Sequence, residues 1–245
     1  MQDSISLEKW NELAHFLTIG LVCISLVILL GHLLRLMATR DLKSKYDYIN
    51  RYEINLLWWA SVGIITAAAV YANSLSAELQ LLLICVRAFV AAMMAMIVGV
   101  IVQNLLKFYY PFFIEKRLKK LRFQPRISPK SGKPMKLLSE DEEDVYLDEG
   151  MQAEENIFSI DYDVWIDEET GYTKIEKYSG HLHADQCPEC SYQTMRVVKE
   201  EIIKSPGYDE EGQLEKYYNC GYCSYKTKKA FKIAPLRQSS AEAAV

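Results

Sequence analysis

The sequence predicts an α-plus-small-β chain: three transmembrane helices, then two small β zinc-ribbon-like lobes, the first degenerate. Three observations predict it. Long apolar runs fill the chain up to about Pro111, and charged residues dominate after it. Two C-x-x-C pairs, Cys187-Pro-Glu-Cys190 and Cys220-Gly-Tyr-Cys223, lie near the C-terminus with no cysteine between them. The same grammar of a tight turn followed by a strand occurs twice upstream, without cysteine. The division that follows is a membrane domain over residues 1–122 and a degenerate lobe with an acidic insert over 123–180. A metal-binding ribbon over 181–235 and a disordered tail over 236–245 complete it.

The chain has 245 residues, 50% of them apolar, and a net charge of −4. Nucleic-acid binders usually carry a basic face, so this balance gives no general attraction to nucleic acid. The apolar runs are residues 14–38, 54–72 and 79–106. A helix crosses the hydrocarbon core with about 20 apolar residues, and each run is close to or above that length. The first is too long for a signal-peptide core, and the residues before it hold only Lys9 among acids. It therefore reads as a retained helix.

Basic residues set the orientation. Residues 39–53 read as a first loop with Arg40, Lys43, Lys45 and Arg51, and the second loop, NSLSAE, carries none. Lys107, Lys116, Arg117, Lys119, Lys120 and Arg122 follow the third run. The positive-inside rule puts the N-terminus outside and the C-terminal half in the cytoplasm, as in a multi-pass protein of a bacterial inner membrane. Trp58 and Trp59 sit where an interfacial aromatic belt would. Cys23 and Cys85 read as small buried hydrophobes.

Three ionisable residues break the runs: His32, Arg35 and Arg87. Such residues are expensive in lipid and often functional. Arg35 is near the cytoplasmic end and can snorkel, with His32 capping the same polar stripe one turn earlier. Arg87 lies deeper, and either lines a polar path, pairs with another subunit, or snorkels outward. The third helix is expected to run on past the membrane, with a kink at Pro111. The basic flank beyond it is a stop-transfer signal or a contact for anionic lipid.

In the cytoplasmic half, each C-x-x-C pair sits on a turn that points two thiolates at one tetrahedral ion. Cys187, Cys190, Cys220 and Cys223 would therefore hold one structural Zn2+. His181 and His183 are candidate extra ligands, although four thiolates already close the site. A reducing cytoplasm leaves these thiols to metal rather than to disulfides. Upstream, Ser128-Pro-Lys-Ser131-Gly and Asp167-Glu-Glu-Thr170-Gly have the shape of the same turns without thiolates. They read as a ribbon that has lost its ligands or as ordinary hairpin loops. The run SEDEED reads as a solvated loop, with a cation or a basic partner as the alternative.

Residues 124–235 resemble the C-terminal tandem zinc-ribbon tail of bacterial TPM-domain membrane proteins. The stretches PRISPKSGKPM, SIDYDVW and CPECSYQT, and the final NCGYCSY, carry the resemblance. In that family the first ribbon also has four cysteines, where this chain has Ser128, Ser131, Asp167 and Thr170. No TPM domain is present, because apolar helices fill the N-terminal half. The resemblance therefore implies ribbon architecture and membrane attachment, and carries over no activity.

No catalytic motif such as a P-loop, G-x-S-x-G or H-E-x-x-H occurs. The expectation is a non-enzymatic inner-membrane protein that presents its zinc ribbon as a platform for a protein partner. Tyr192, Tyr217, Tyr218, Tyr222 and Tyr225 are either its anchors or its core. The alternative is a subunit of a membrane transport or motor complex, with Arg87 and His32 at a polar path or subunit interface. A redox protein using the C-x-x-C pairs is a third reading, and nucleic-acid binding a distant fourth.

Overall fold

The computed structural model describes residues 2–74 and 81–236. Most of the NSLSAE loop and nearly all of the C-terminal tail lie outside the described residues. The chain divides into two compact units, Met1–Gln124 and Pro125–Val245.

The first unit is helical: α1 (Gln2–Ala38), α2 (Leu42–Ser74), α3 (Leu81–Asn104) and α4 (Tyr110–Arg122), with a π-helical turn over Leu105–Tyr109 between the last two. Three stretches, Glu8–Ala38, Leu42–Ser74 and Leu82–Arg122, are long and apolar enough to cross a membrane. Their large apolar side chains point outward: Phe16, Val27, Leu34, Phe89 and Met96 are all exposed. Cys23 and Cys85 are exposed too, which corrects the expectation that they are buried. They lie on the outer faces of helices whose contacts with each other use small residues instead. Ala14, Ser25, Ala60 and Ala67 are buried, and a Cβ on Gly63 would come within 2.1 Å of Ser25 Oγ. Small residues let two backbones approach this closely.

The basic segment over 39–53 is helix rather than loop. Asp41 caps α2 by accepting from the amide of Ser44 at 2.8 Å, and the helix starts at Leu42. Satisfying a free amide at the first turn is the usual start signal. Tyr48, Ile49 and Glu53 then face inward. Ile49 packs on Ile114 and Leu118 of α4, flanked by Leu36, Tyr46 and Ile54. Pro111 sits at the start of α4, where its missing N–H costs nothing. The irregularity precedes it as the π-turn.

The second unit holds two three-stranded antiparallel sheets. The first is β1 (Lys136–Leu137), β2 (Ile160–Ile166) and β3 (Thr173–Ser179), in that order. Two short helices, α5 (Glu140–Glu143) and α6 (Glu149–Asn156), lie between β1 and β2 in the chain. A capping box of Ser139 and Glu142 starts α5, and Asp148 caps α6 through the amide of Met151. The SEDEED run is therefore ordered, and its Glu143 is buried rather than solvated. Leu147, Ile160, Tyr162 and Val164 form the apolar core. Trp165 is 2% exposed and lies under the Arg126 guanidinium, 4.8 Å from the ring centre. Arg126 makes a buried ion pair with Glu176 at 2.6 Å and also reaches Tyr178. The second sheet is β4 (Met195–Lys204), β5 (Gly212–Cys220) and β6 (Lys226–Ile233), in chain order.

Candidate metal centre

Four tight turns in the second unit share one backbone pattern. The first residue of each turn donates its amide to the carbonyl five residues on. The pairs are Ser128 to Lys133 (2.9 Å), Asp167 to Tyr172, Cys187 to Tyr192 and Cys220 to Tyr225 (2.8 Å each). In the first three, the amide four residues on returns to the carbonyl of the first residue. The residue at that fourth step has positive φ in every case: Gly132, Gly171, Ser191 and Ser224. Amides inside the turn then point at the side-chain atom of the first residue. Lys130 and Ser131 donate to Ser128 Oγ, and Cys223 donates to Cys220 Sγ at 3.3 Å. Burial also repeats: Ser128, Asp167, Cys187 and Cys220 are buried, while Ser131, Thr170, Cys190 and Cys223 are more open.

In the second lobe this pattern brings together all four predicted cysteines. Their sulfurs lie within 4.8 Å of one another. Cys187 Sγ is 3.7 Å from Cys223 Sγ, and Cys190 Sγ is 3.7 Å from Cys220 Sγ. A disulfide needs about 2.05 Å, so these are not bonded pairs. They are four donors aimed at one point, and could hold a metal ion. Met195 and Tyr218 back the site from the sheet, with Tyr225 beside them.

The protonation energetics agree with a cation at that point. Burial opposes ionisation of Cys220, but hydrogen bonds from Thr194 and from the Cys223 and Tyr222 amides outweigh it and bring the thiol to about 6. The Tyr225 amide favours the Cys223 thiolate, yet burial and the three neighbouring sulfurs push it up to about 12. Burial raises Cys190 as well. Cys220 ionises readily while Cys190 and Cys223 resist, because negative charges would accumulate in one place. A bound cation removes that resistance.

His181 and His183 are not part of this cluster. The His183 side chain is exposed, with Nε2 3.5 Å from Asp185. Of the five tyrosines named from the sequence, Tyr218 is core, Tyr222 is exposed, and Tyr192, Tyr217 and Tyr225 are half-buried.

The first lobe fills the same four positions with a hydrogen-bonded cluster. Asp167 Oδ2 accepts from Ser128 Oγ at 2.6 Å and from Thr170 Oγ1 at 2.5 Å, and Oδ1 accepts from the Glu169 amide. These bonds hold the Asp167 carboxyl far below the usual carboxylate range. One ionised carboxylate, gripped by donors, stands where the other lobe gathers four thiols.

A second polar cluster, in the helical unit, was not evident from the sequence. Glu53 is 1% exposed. It accepts from Tyr110 Oη at 2.7 Å and from Arg117 at 3.0 Å, and His32 Nε2 lies 3.5 Å away. Tyr48 Oη is 3.1 Å from His32 Nδ1. His32 thus belongs to a cluster rather than to a stripe with Arg35, whose guanidinium stacks on Tyr48. Arg87 is elsewhere, on the wall of an apolar groove between α2 and α3, with Nε bonded to the Leu83 carbonyl at 3.3 Å. The available signal was the spacing of Tyr110 and Arg117, which puts both on one helix face, opposite the single acid at the edge of the second apolar run. No protein-family model, curated protein or solved structure matches this chain.

Proposed function

We propose that this chain is a non-enzymatic integral protein of a bacterial inner membrane that presents a structural zinc ribbon in the cytoplasm as a protein-interaction platform. The observation that carries the reading is the sulfur geometry. Zn–S bonds of about 2.3 Å in a tetrahedron give S–S edges of about 3.8 Å, against 3.7 Å for two of the sulfur pairs and at most 4.8 Å for the rest. Four thiolates close the coordination shell and leave no position for a substrate, which favours a structural over a catalytic role. The shared turn geometry of the two lobes supports the tandem-ribbon reading and the resemblance to the tails of TPM-domain proteins. The three long apolar helices and the basic residues at one end of each support three crossings with the second unit inside. Elemental analysis of the purified full chain tests the zinc site: one zinc per chain is expected, and iron or no metal would reject it. A periplasm-only reporter fused after Val245 tests the topology and is expected to be inactive.

A second reading, a subunit of a transport or motor complex, is favoured by the buried Glu53 and His32, with the more open Arg117 paired to the same carboxylate. Ionisable groups inside membrane helices often mark such paths. Extraction in mild detergent as a stoichiometric complex with other chains would favour it over a lone platform.

A further inference from the structure

The sheet of the second lobe has two edges that differ. The β6 edge carries Lys226, Lys228, Lys229 and Lys232. Charged edges, lysine above all, block the addition of another strand. The β4 edge carries Val197, Val198, Ile202 and Ile203, which are 42%, 64%, 59% and 52% exposed. Among the described residues, only a bridge from Asp185 to Met195 covers the start of that edge. Four exposed β-branched residues on an open strand edge are an unusual liability for a protein that stays alone.

The sequence of β4 is self-complementary. Outward from Glu200 it reads Lys199 and Glu201, then Val198 and Ile202, then Val197 and Ile203, then Arg196 and Lys204. We propose that β4 pairs antiparallel with β4 of a second copy of this chain about a two-fold axis at Glu200, joining two sheets into one of six strands. In that register Lys199 faces Glu201 of the other copy, and two pairs of apolar residues face each other on each side. A slip by one residue in one direction sets Glu200 against Glu201, and in the other sets Val198 against Glu201 and breaks an apolar pair, so charge and apolar matching together select the register. The two facing Glu200 side chains are each neutralised by Lys216 of their own chain, 2.7 Å away. The pairing of β4 with β5 is irregular between Val197 and Lys199 and between Ile202 and Lys204. These irregular steps fall at the apolar pairs on either side of Glu200, so the strand bends there and the new ladder ends with those pairs. With β6 guarded, the assembly closes as a dimer instead of growing. So short a ladder buries less than the ~1,200–2,000 Å² of a stable interface in solution. Confinement of both copies to one membrane supplies the missing effective concentration, and in this respect the inference rests on the membrane reading.

The test is disulfide trapping in isolated membranes, using the full chain with Cys23→Ser and Cys85→Ser. Directly opposed residues of an antiparallel pair have Cα atoms about 4.5–5.5 Å apart, within disulfide range. Glu200→Cys should therefore give a cross-linked dimer on mild oxidation, and Lys228→Cys, on the guarded edge, should not. Val198→Cys and Ile202→Cys should cross-link when co-expressed but not singly, because a strand offset of four residues separates like positions by about 13 Å. Adding Val197→Lys and Ile203→Lys to Glu200→Cys should cut the dimer about tenfold while metal per chain stays unchanged, showing that the lobe is folded. Absence of a Glu200→Cys dimer would overturn the proposal. So would equal trapping at Lys228→Cys, self-trapping of Val198→Cys, or a yield insensitive to the two lysines.

Discussion

The two lobes of the second unit solve one backbone problem with different chemistry. Each has a pair of identical turns that point four side chains inward. One lobe sets four sulfurs within 4.8 Å of one another, where they could hold a metal ion. The other sets one carboxylate among hydroxyl and amide donors. The first lobe also has support that the sulfur lobe lacks. It has an apolar core around Val164, a buried Arg126–Glu176 pair and Trp165 stacked beneath the arginine. The sulfur lobe has a core of a few residues around Met195 and Tyr218, two of them cysteines of the cluster, and a β4 strand exposed along nearly its whole length. The same turn geometry thus occurs with two different sets of inward side chains and two different kinds of support.

The largest expected effect is on the lobe with little packing. Structural zinc sites contribute about 10–16 kcal/mol of apparent binding energy that is also folding energy. Cys190→Ser should release the metal and unfold residues 187–233 as followed by hydrogen exchange, while β2 and β3 of the first lobe stay protected. Loss of protection in both lobes together would show that the two are one cooperative unit. They do touch: the Gln193 amide donates to Glu154 at 2.5 Å, and Tyr192 Oη donates to Asp148. The converse substitution sharpens the comparison. Ser128→Cys, Ser131→Cys, Asp167→Cys and Thr170→Cys together should raise zinc from one to two per chain, because the amides that point at the side chains are already in place. A count that stays at one would show that the turns are alike in backbone only.

Trp165→Ala is expected to destabilise the first lobe by about 3–5 kcal/mol, the range for a fully buried large aromatic. Zinc content should not change. A thermal midpoint of the first lobe that does not move would show that the Asp167 cluster alone holds it.

How much of this was legible follows from which interactions are local. The turns were visible because i to i+5 backbone geometry leaves a residue signature: a small or glycine residue four steps on and a strand behind. The four cysteines were visible because a soft metal site needs those atoms at that spacing. The apolar helices were visible by length. The Asp167 cluster was recognisable only as missing cysteines, since nothing in Ser, Ser, Asp and Thr announces mutual hydrogen bonding across 39 residues of chain. Glu53 was missed for the same reason, as its partners Tyr110 and Arg117 are 57 and 64 residues away. The helical start of α2 was misread as loop because basic residues dominated the reading, although Asp41 was available as a cap.

Acid separates the lobes by sign. Burial, Glu155 and the nearby Asp163 and Asp161 push the Glu143 carboxyl up to about 7, against 4.5 for an ordinary glutamate. Its folded form holds a proton that the unfolded form gives up, so the first lobe is fully stabilised below about 4.5 and loses that contribution as pH rises to about 7. Asp167 acts the other way, with a contribution present above its ordinary value of 3.8 and lost only as pH falls well below it. Acidification from 7 to 4.5 should therefore raise the thermal midpoint of the first lobe. The same change should strip metal from the second, as protons compete for its thiolates. Glu143→Gln should reduce the rise to the part that Glu155, also raised by burial, supplies, and leave the metal loss. A first lobe that weakens over this range would place Glu143 in a different environment.

The smallest effect lies at the positive-φ step of each turn. The first lobe places Gly132 and Gly171 there, and the sulfur lobe places Ser191 and Ser224. A residue with a Cβ in this left-handed region carries about 1–2 kcal/mol of strain, which glycine avoids. A Cβ on Gly132 or Gly171 would meet nothing within 4 Å, so substitution there tests backbone strain without a clash. Gly171→Ala should destabilise the first lobe by about 1 kcal/mol, the strain less the entropy that alanine removes from the unfolded chain. Ser191→Gly should do the reverse, but only where the ion is not already holding the turn. With metal bound, the gain is a small part of a much larger binding energy and should not register in the affinity by more than about fivefold. After chelation, it should show as slower exchange of the Cys187 and Ser191 amides. Equal effects of Gly171→Ala and Ser191→Gly with metal present would mean that the ion does not restrain its turns. The contrast between a lobe held by packing and a lobe held by metal would then fail at the residue where it is easiest to measure.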